Sequence, residues 1–318
     1  MDDRLKAHIP VGIIRRSRAW SDSLAHGPLP LMSRATLIGF TAILLWSTLA
    51  LLTAGSGAVP PFQLAALTFL VGGLAGLVFV ARSPMGFSAL KQSPLAWLHG
   101  VGGLCGYHFA YFSALRLAPP AEASLIAYLW PLLIVLLSAT LPGERLRAAH
   151  IIGALMGFAG TVVLVTGRSG GLSYDPVYLP GYLAALIAAV IWAVYSVASR
   201  RFAEVPTEAV AGFCLATAVL SALAHLAFET THWPSGIVEW SSVLLLGLGP
   251  VGLAFFVWDI GMKRGDMRLL GTASYAAPVL STLLLVAFGF AEPTTTLALA
   301  CGLIVGGAAI ATLAGRRG

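Results

Sequence analysis

Tyr128-Leu129-Trp130-Pro131 recurs, with its first and last residues kept, as Tyr275-Ala276-Ala277-Pro278. Each copy sits inside a long apolar run, where a proline removes a backbone donor and breaks or kinks a helix. A nearly identical register lays Trp46 on Trp192. Small further gaps align Glu144 with Glu292 and Gly153-x-x-x-Gly157 with Gly302-x-x-x-Gly306. The chain therefore reads as two copies of one unit.

The composition says what surrounds those copies. Of 318 residues, 58% are hydrophobic and 10% are charged, against roughly a quarter charged in an ordinary soluble domain. A soluble globular protein is excluded. Ten apolar runs lie near 35–54, 61–81, 94–115, 120–141, 148–167, 179–199, 207–227, 240–262, 269–290 and 295–314. At about twenty residues each, they match the helix length that crosses roughly 30 Å of hydrocarbon. Links such as Ser83-Pro84, Pro142-Gly143-Glu144-Arg145 and Lys263-Arg264-Gly265-Asp266 separate them and read as loops.

The expected fold is an all-α integral membrane protein of ten transmembrane helices. Because each copy holds five spans, an odd number, the second copy enters the membrane from the opposite face and the two form an inverted repeat. The expected units are a cytoplasmic tail over 1–33, a first five-helix repeat over 34–168 and a second over 178–315. Such symmetry supplies two related conformations around a site near the midplane, which is the arrangement of a transporter.

Nineteen Lys and Arg against thirteen Asp and Glu give a net charge of +6. With the N-terminus inside, ten spans place every cation except Arg116 and Arg168 on the cytoplasmic side, as the positive-inside rule requires. Both termini are then expected in the cytoplasm. The cationic excess reports topology and gives no further support for nucleic acid as a partner. The first thirty residues have an arginine cluster and no apolar h-region, so no signal peptide is read there. Met32, immediately before the first span, is a second candidate start. Cys105, Cys214 and Cys301 are scattered through the spans and read as small buried side chains, with neither a disulfide framework nor a metal site.

The tryptophan-bearing first and sixth spans, and Ala123-Ser124-Leu125-Ile126-Ala127-Tyr128-Leu129-Trp130-Pro131 running on to Gly143-Glu144-Arg145-Leu146, resemble the drug/metabolite transporter superfamily, EamA type. The resemblance covers nearly the whole chain. Tyr128-Leu129-Trp130-Pro131 and Tyr107-His108-x-x-Tyr111 are similar to the YddG-type exporters within it. The resemblance implies export of aromatic and other neutral amino acids across a bacterial inner membrane by alternating access. The copies also differ: Ala276-Ala277 replaces Leu129-Trp130 and Ala291-Glu292-Pro293 replaces Gly143-Glu144-Arg145, so the site is expected to lean on the first copy.

Depth along each span brings the unusual residues to one level. Trp46 and Trp192 each lie twelve residues into a span, roughly 18 Å deep. Trp130, Pro131, Pro278 and His108 reach a similar depth. Tryptophan and tyrosine normally favour the headgroup interface, so a cluster at the midplane calls for a polar cavity or interhelical partners. Tyr107 and Tyr111 share a helical face beside His108. The expected substrate-binding residues are Trp46, Tyr107, His108, Tyr111, Tyr128, Trp130, Trp192, Ser274 and Tyr275, with Pro131 and Pro278 as hinges. Helix packing is the alternative role for each aromatic.

His108 offers hydrogen bonding to substrate or a proton-linked step, with a neutral packed histidine as the alternative. No acid accompanies it. Glu122 belongs near the outer end of its span, and Asp259, four residues before Lys263, reads as half of an interfacial ion pair. Facilitated export or weak proton coupling follows. The carbonyls freed by Pro131 and Pro278, with the Ser124, Thr272 and Ser274 hydroxyls, are candidates to hold the ends of a zwitterion.

Gly247-Leu248-Gly249-Pro250-Val251-Gly252 matches G-x-G-x-x-G but lies in an apolar run without βαβ context, so it reads as helix-packing glycine rather than a dinucleotide site. Gly72-x-x-x-Gly76 and Gly102-x-x-x-Gly106 read the same way. The glycine pairs of the fifth and tenth spans fit either packing within the chain or an oligomer contact, and a monomer or weak homodimer is expected. No catalytic residue, metal or cofactor is expected; His108 with Ser113 or Ser124 is too thin a constellation for an enzyme. The partners are a small-molecule substrate and the lipid bilayer. The competing function is broad drug or metabolite efflux.

Overall fold

The computed structural model describes residues 33–142, 146–169, 175–287 and 292–316. The Gly143-Glu144-Arg145 link, the tail before Ser33 with its arginines, and Arg317 lie outside the described residues. Every element among the described residues is helical. In chain order they are α1 (Arg34–Ser47), α2 (Leu49–Gly55), α3 (Pro61–Arg82), α4 (Pro94–Leu117), α5 (Pro120–Ala127), α6 (Trp130–Ser138) and α7 (Ala148–Ser169). The second half holds α8 (Leu179–Ala198), α9 (Ala209–Phe228), α10 (Gly236–Leu248), a π-helical turn (Gly249–Leu253), α11 (Ala254–Arg264), α12 (Met267–Ala273), α13 (Ala276–Ala287) and α14 (Thr295–Arg316).

Nine helical stretches among the described residues are long and apolar enough to cross a membrane. α4 has the length, at 24 residues, but is not among them. Its histidines and tyrosines, His99, Tyr107, His108 and Tyr111, lower its apolar content. The distribution of polarity suits lipid. Leu37, Leu74, Leu98, Leu226 and Val305 are exposed, whereas Ser138, Thr161, Ser196, Ser199 and Ser274 are buried. Several buried hydroxyls return a hydrogen bond to their own helix, as Ser138 does to the Val135 carbonyl at 2.7 Å and Ser199 to that of Tyr195 at 2.8 Å. In hydrocarbon such internal satisfaction is required.

Sequence explains the ends and the breaks. Prolines open α3, α4 and α5, where a missing N–H costs nothing. Ser93 and Asp266 cap α4 and α12 by accepting backbone N–H groups through their side chains. Between α5 and α6, Pro131 cannot donate to the Ala127 carbonyl, and between α12 and α13, Pro278 cannot donate to that of Ser274. Both helices break there.

Packing pairs α1 with α11, α4 with α8, α3 with α9 and α7 with α14. Small residues set the closest approaches. A Cβ built on Gly39 would stand 3.0 Å from the Gly261 Cα, and one on Gly153 would stand 2.5 Å from the Gly307 carbonyl oxygen. The Gly153-x-x-x-Gly157 pair is therefore used inside the chain, whereas Gly102 and Gly302 have no atom placed to meet a Cβ.

Candidate functional site

A cavity of about 830 Å³ starts where the broken helices and the π turn meet. From Trp46, Trp130 and Trp192 it extends to Gly57 and Val59, beyond α2, and to Pro120 at the start of α5, so it reaches one end of the bundle. Toward the other end Trp258, Met262, Met267 and Leu270 are buried in the core.

The floor is tryptophan. Trp46 lies 6.1 Å from Trp130, 5.8 Å from Trp192 and 5.0 Å from Trp258 between ring centroids, in edge-on and tilted contacts. These geometries are the favourable ones for aromatic quadrupoles. Trp46 donates its indole N–H to the Pro250 carbonyl at 3.1 Å. That carbonyl is available because the π turn directs the Ala254 N–H to Gly249 instead. Trp258 donates to the Ser196 hydroxyl at 3.1 Å.

The wall beside the floor comes from α4. The Tyr107 and Tyr111 rings stack at 5.8 Å with an interplanar angle of 5°, as their four-residue spacing dictates. His108 Nδ1 donates to the Leu104 carbonyl at 2.7 Å. A carbonyl only accepts, so Nδ1 carries the proton and a neutral ring keeps Nε2 as an acceptor. The ring stands edge-on to Phe69 at 4.9 Å. Tyr111 and Ser124 share a hydrogen bond at 3.1 Å. Among the described residues no hydrogen bond satisfies the Tyr107 or Tyr128 hydroxyl or the Trp130 or Trp192 indole N–H, and all four line the cavity.

The structure thus gathers Trp46, Tyr107, His108, Tyr111, Tyr128, Trp130, Trp192 and Pro278 around one space. Ser274, Tyr275 and Pro131 are not in its wall. Ser274 is buried and donates to the Leu270 carbonyl at 2.7 Å. Tyr275 is wholly buried, and its hydroxyl accepts the Leu132 N–H at 3.2 Å. Pro131 is buried in the first turn of α6. Thr272 is buried as well, away from the wall.

Phe69, Pro250 and Phe255 line the cavity without having been expected there. The sequence carried a signal for two of them: the register that lays Tyr128 on Tyr275 lays His108 on Phe255, and Pro250 is another proline within an apolar run. The glycines around Pro250 do pack, Gly247 and Gly252 against Val71 and Gly72, but the segment also shapes the wall.

No Asp, Glu, Lys or Arg lines the cavity among the described residues. Asp259 and Lys263 do pair, at 2.8 Å, with both side chains buried within the protein near the end of α11. Thr207 donates to the second Asp259 oxygen at 2.7 Å, and Lys263 also donates to the Val205 carbonyl at 2.8 Å. Glu122 accepts a hydrogen bond from Tyr182. Among the described residues no cluster of three or more His, Cys, Asp or Glu is placed to hold a metal ion.

Comparison with known proteins adds relatives to this geometry. A protein of Ancylobacter novellus named aromatic amino acid exporter YddG is 69% identical over 285 residues, covering 90% of this chain and 99% of its own. An Escherichia coli K12 protein of the same name is 28% identical over 300 residues, with 90% and 99% covered. A solved crystal structure 70% identical in sequence superposes with a TM-score of 0.86 over 89% of this chain and 98% of its own. The model of the EamA-like transporter family matches residues 33–166 and again 179–313. The chain belongs to the EamA-like transporter family.

Proposed function

We propose that this protein exports aromatic and other neutral amino acids across a bacterial inner membrane by alternating access, acting as a transporter and not as an enzyme. The observation that carries the reading is the wall of the cavity: aromatic rings, unpartnered phenol and indole groups and one imidazole, with no Asp, Glu, Lys or Arg among the described residues. Aromatic faces bury a ring or an apolar side chain, and the unpartnered donors and acceptors serve the ends of a net-neutral zwitterion. Trp46, Tyr107, His108, Tyr111, Tyr128, Trp130 and Trp192 contact the substrate, and the breaks at Pro131 and Pro278 are the hinges. The names of the two relatives agree with this substrate class.

The architecture proposed is ten spans in two inverted repeats, over 34–168 and 178–315, with α4 as the tenth span. Support comes from the double family match and from the pairing of helices: α1 on α11 mirrors α8 on α4, while α3 with α9 and α7 with α14 each join equivalent spans of the two copies. With both termini cytoplasmic, the cations gather inside, and the cavity opens outward. The protein works as a monomer or weak homodimer.

Counterflow in proteoliposomes tests the function. Labelled phenylalanine or another neutral amino acid accumulates only when an unlabelled one is preloaded. Absence of counterflow across an amino acid panel, with accumulation of unrelated organic solutes, overturns the amino acid reading in favour of broad efflux.

A further inference from the structure

Tyr128 and Tyr275 occupy matching places in the two copies and yet do different things. Tyr275 lies flat against α7: a Cβ added to Gly157 would stand 2.4 Å from its Cδ2. Its hydroxyl accepts the N–H of Leu132, the residue after Pro131. That N–H belongs to the first turn of α6, where a helix has no internal acceptor to offer. The copy register sets Tyr128 against Tyr275, Val279 against Leu132, and Gly306 against Gly157. The mirrored contact is not made. No hydrogen bond among the described residues joins Tyr128 to Val279, Tyr128 lines the cavity, and a Cβ on Gly306 would meet only the flexible end of Met156, at 3.3 Å.

We propose that the two tyrosines exchange these roles during transport, an inference that rests on the inverted-repeat transporter reading. In the conformation described, Tyr275 caps α6 and Tyr128 faces the solute. In the opposite conformation α13 begins one residue later, at the place where α6 begins here, which frees the Val279 N–H for the Tyr128 hydroxyl, and the Tyr128 ring settles on Gly306. Tyr275 leaves Gly157 and becomes the phenol that faces the solute from the other side. The glycines are the seats that let either ring lie flat on α7 or α14.

The exchange explains why a tyrosine stands at both breaks. Each end state has one tyrosine capping a half-helix and one in the cavity, so the hydrogen bonds are equal in number and neither state is favoured by them. Alternating access needs such a balance, because a strong preference for one state lowers occupancy of the other. Tyr275 is then a substrate-facing residue of the conformation opposite to this one.

Accessibility of one cysteine tests the exchange without any amino acid present. In the full chain, with Cys105, Cys214 and Cys301 replaced by serine, Thr53→Cys places a thiol on the cavity wall. A membrane-impermeant maleimide is applied from the face on which the cavity opens. Tyr275→Phe removes the cap of the described state and slows labelling by about fivefold, the weight of one net hydrogen bond. Tyr128→Phe removes the cap of the opposite state and speeds labelling, and the double variant returns toward the parent rate. Gly306→Ala, which meets only the end of Met156 and leaves Tyr275 untouched, also speeds it. Labelling that is unchanged in Tyr275→Phe, or that moves the same way in both tyrosine variants, overturns the exchange. Counterflow of the parent separates the two readings: its failure for every amino acid removes the amino acid function and leaves the labelling result standing.

Discussion

Trp46 reaches the Pro250 carbonyl at 3.1 Å with its indole N–H, tying the first span to the π turn that interrupts α10 and α11. One hydrogen bond thus fixes both the floor of the cavity and part of its wall. Trp46→Phe keeps an aromatic face but strands the carbonyl and shrinks the ring. A loss of about 2 kcal/mol is expected, read as a lower melting temperature in detergent, together with a fall in counterflow of at least about tenfold.

The Asp259–Lys263 pair is buried, with Thr207 and the Val205 carbonyl completing its shell. Removing one partner leaves a bare charge in the protein interior. Asp259→Ala is expected to cost about 3–5 kcal/mol, and Asp259→Ala with Lys263→Met to recover most of it. Thermal unfolding of the purified variants decides; equal loss in single and double variants contradicts the coupling.

Glu229 caps a helix from a distance. Its carboxylate accepts the backbone N–H groups of Phe62 and Gln63 at 3.1 Å and contacts His225 Nδ1 at 3.0 Å. Glu229→Ala should cost about 2 kcal/mol. Hydrogen exchange should quicken first at Phe62 and Gln63, at the start of α3, before any change in the middle of that helix.

His108→Phe keeps the edge contact with Phe69 and deletes the Nε2 acceptor. Counterflow of neutral amino acids should fall about tenfold while the melting temperature holds, because the Leu104 carbonyl already serves its own helix. A parallel loss of folding would move His108 from the site to the packing.

Much of this was legible in the sequence because the membrane imposes strong rules. Apolar length located the helices, and two prolines in matching places located the breaks at Pro131 and Pro278. α4 shows the limit: Tyr107, His108 and Tyr111 mark it as site-bearing and for the same reason make it a poor apolar span. Depth placed Tyr275 with the site and could not say which way its ring turned, since a break lets neighbouring residues face opposite sides. Ser274 stands off the cavity wall for a related reason, because a serine on a helix can satisfy itself on the preceding turn. Pro250 sits inside the G-x-G-x-x-G string, which reads as glycine packing, and the π turn that aims its carbonyl is a three-dimensional event with no mark in the sequence.

The uncharged wall has an electrical consequence. A charge that crosses the membrane field exchanges about 2.3 kcal/mol with every 100 mV. No Asp, Glu, Lys or Arg among the described residues rides on the cavity wall, so its rearrangement moves no formal charge through that field. A zwitterion adds none of its own. Under facilitated export such a cycle runs at the same rate in a polarised and a depolarised cell, whereas a proton carried on His108, which lines the same wall, makes it follow the field.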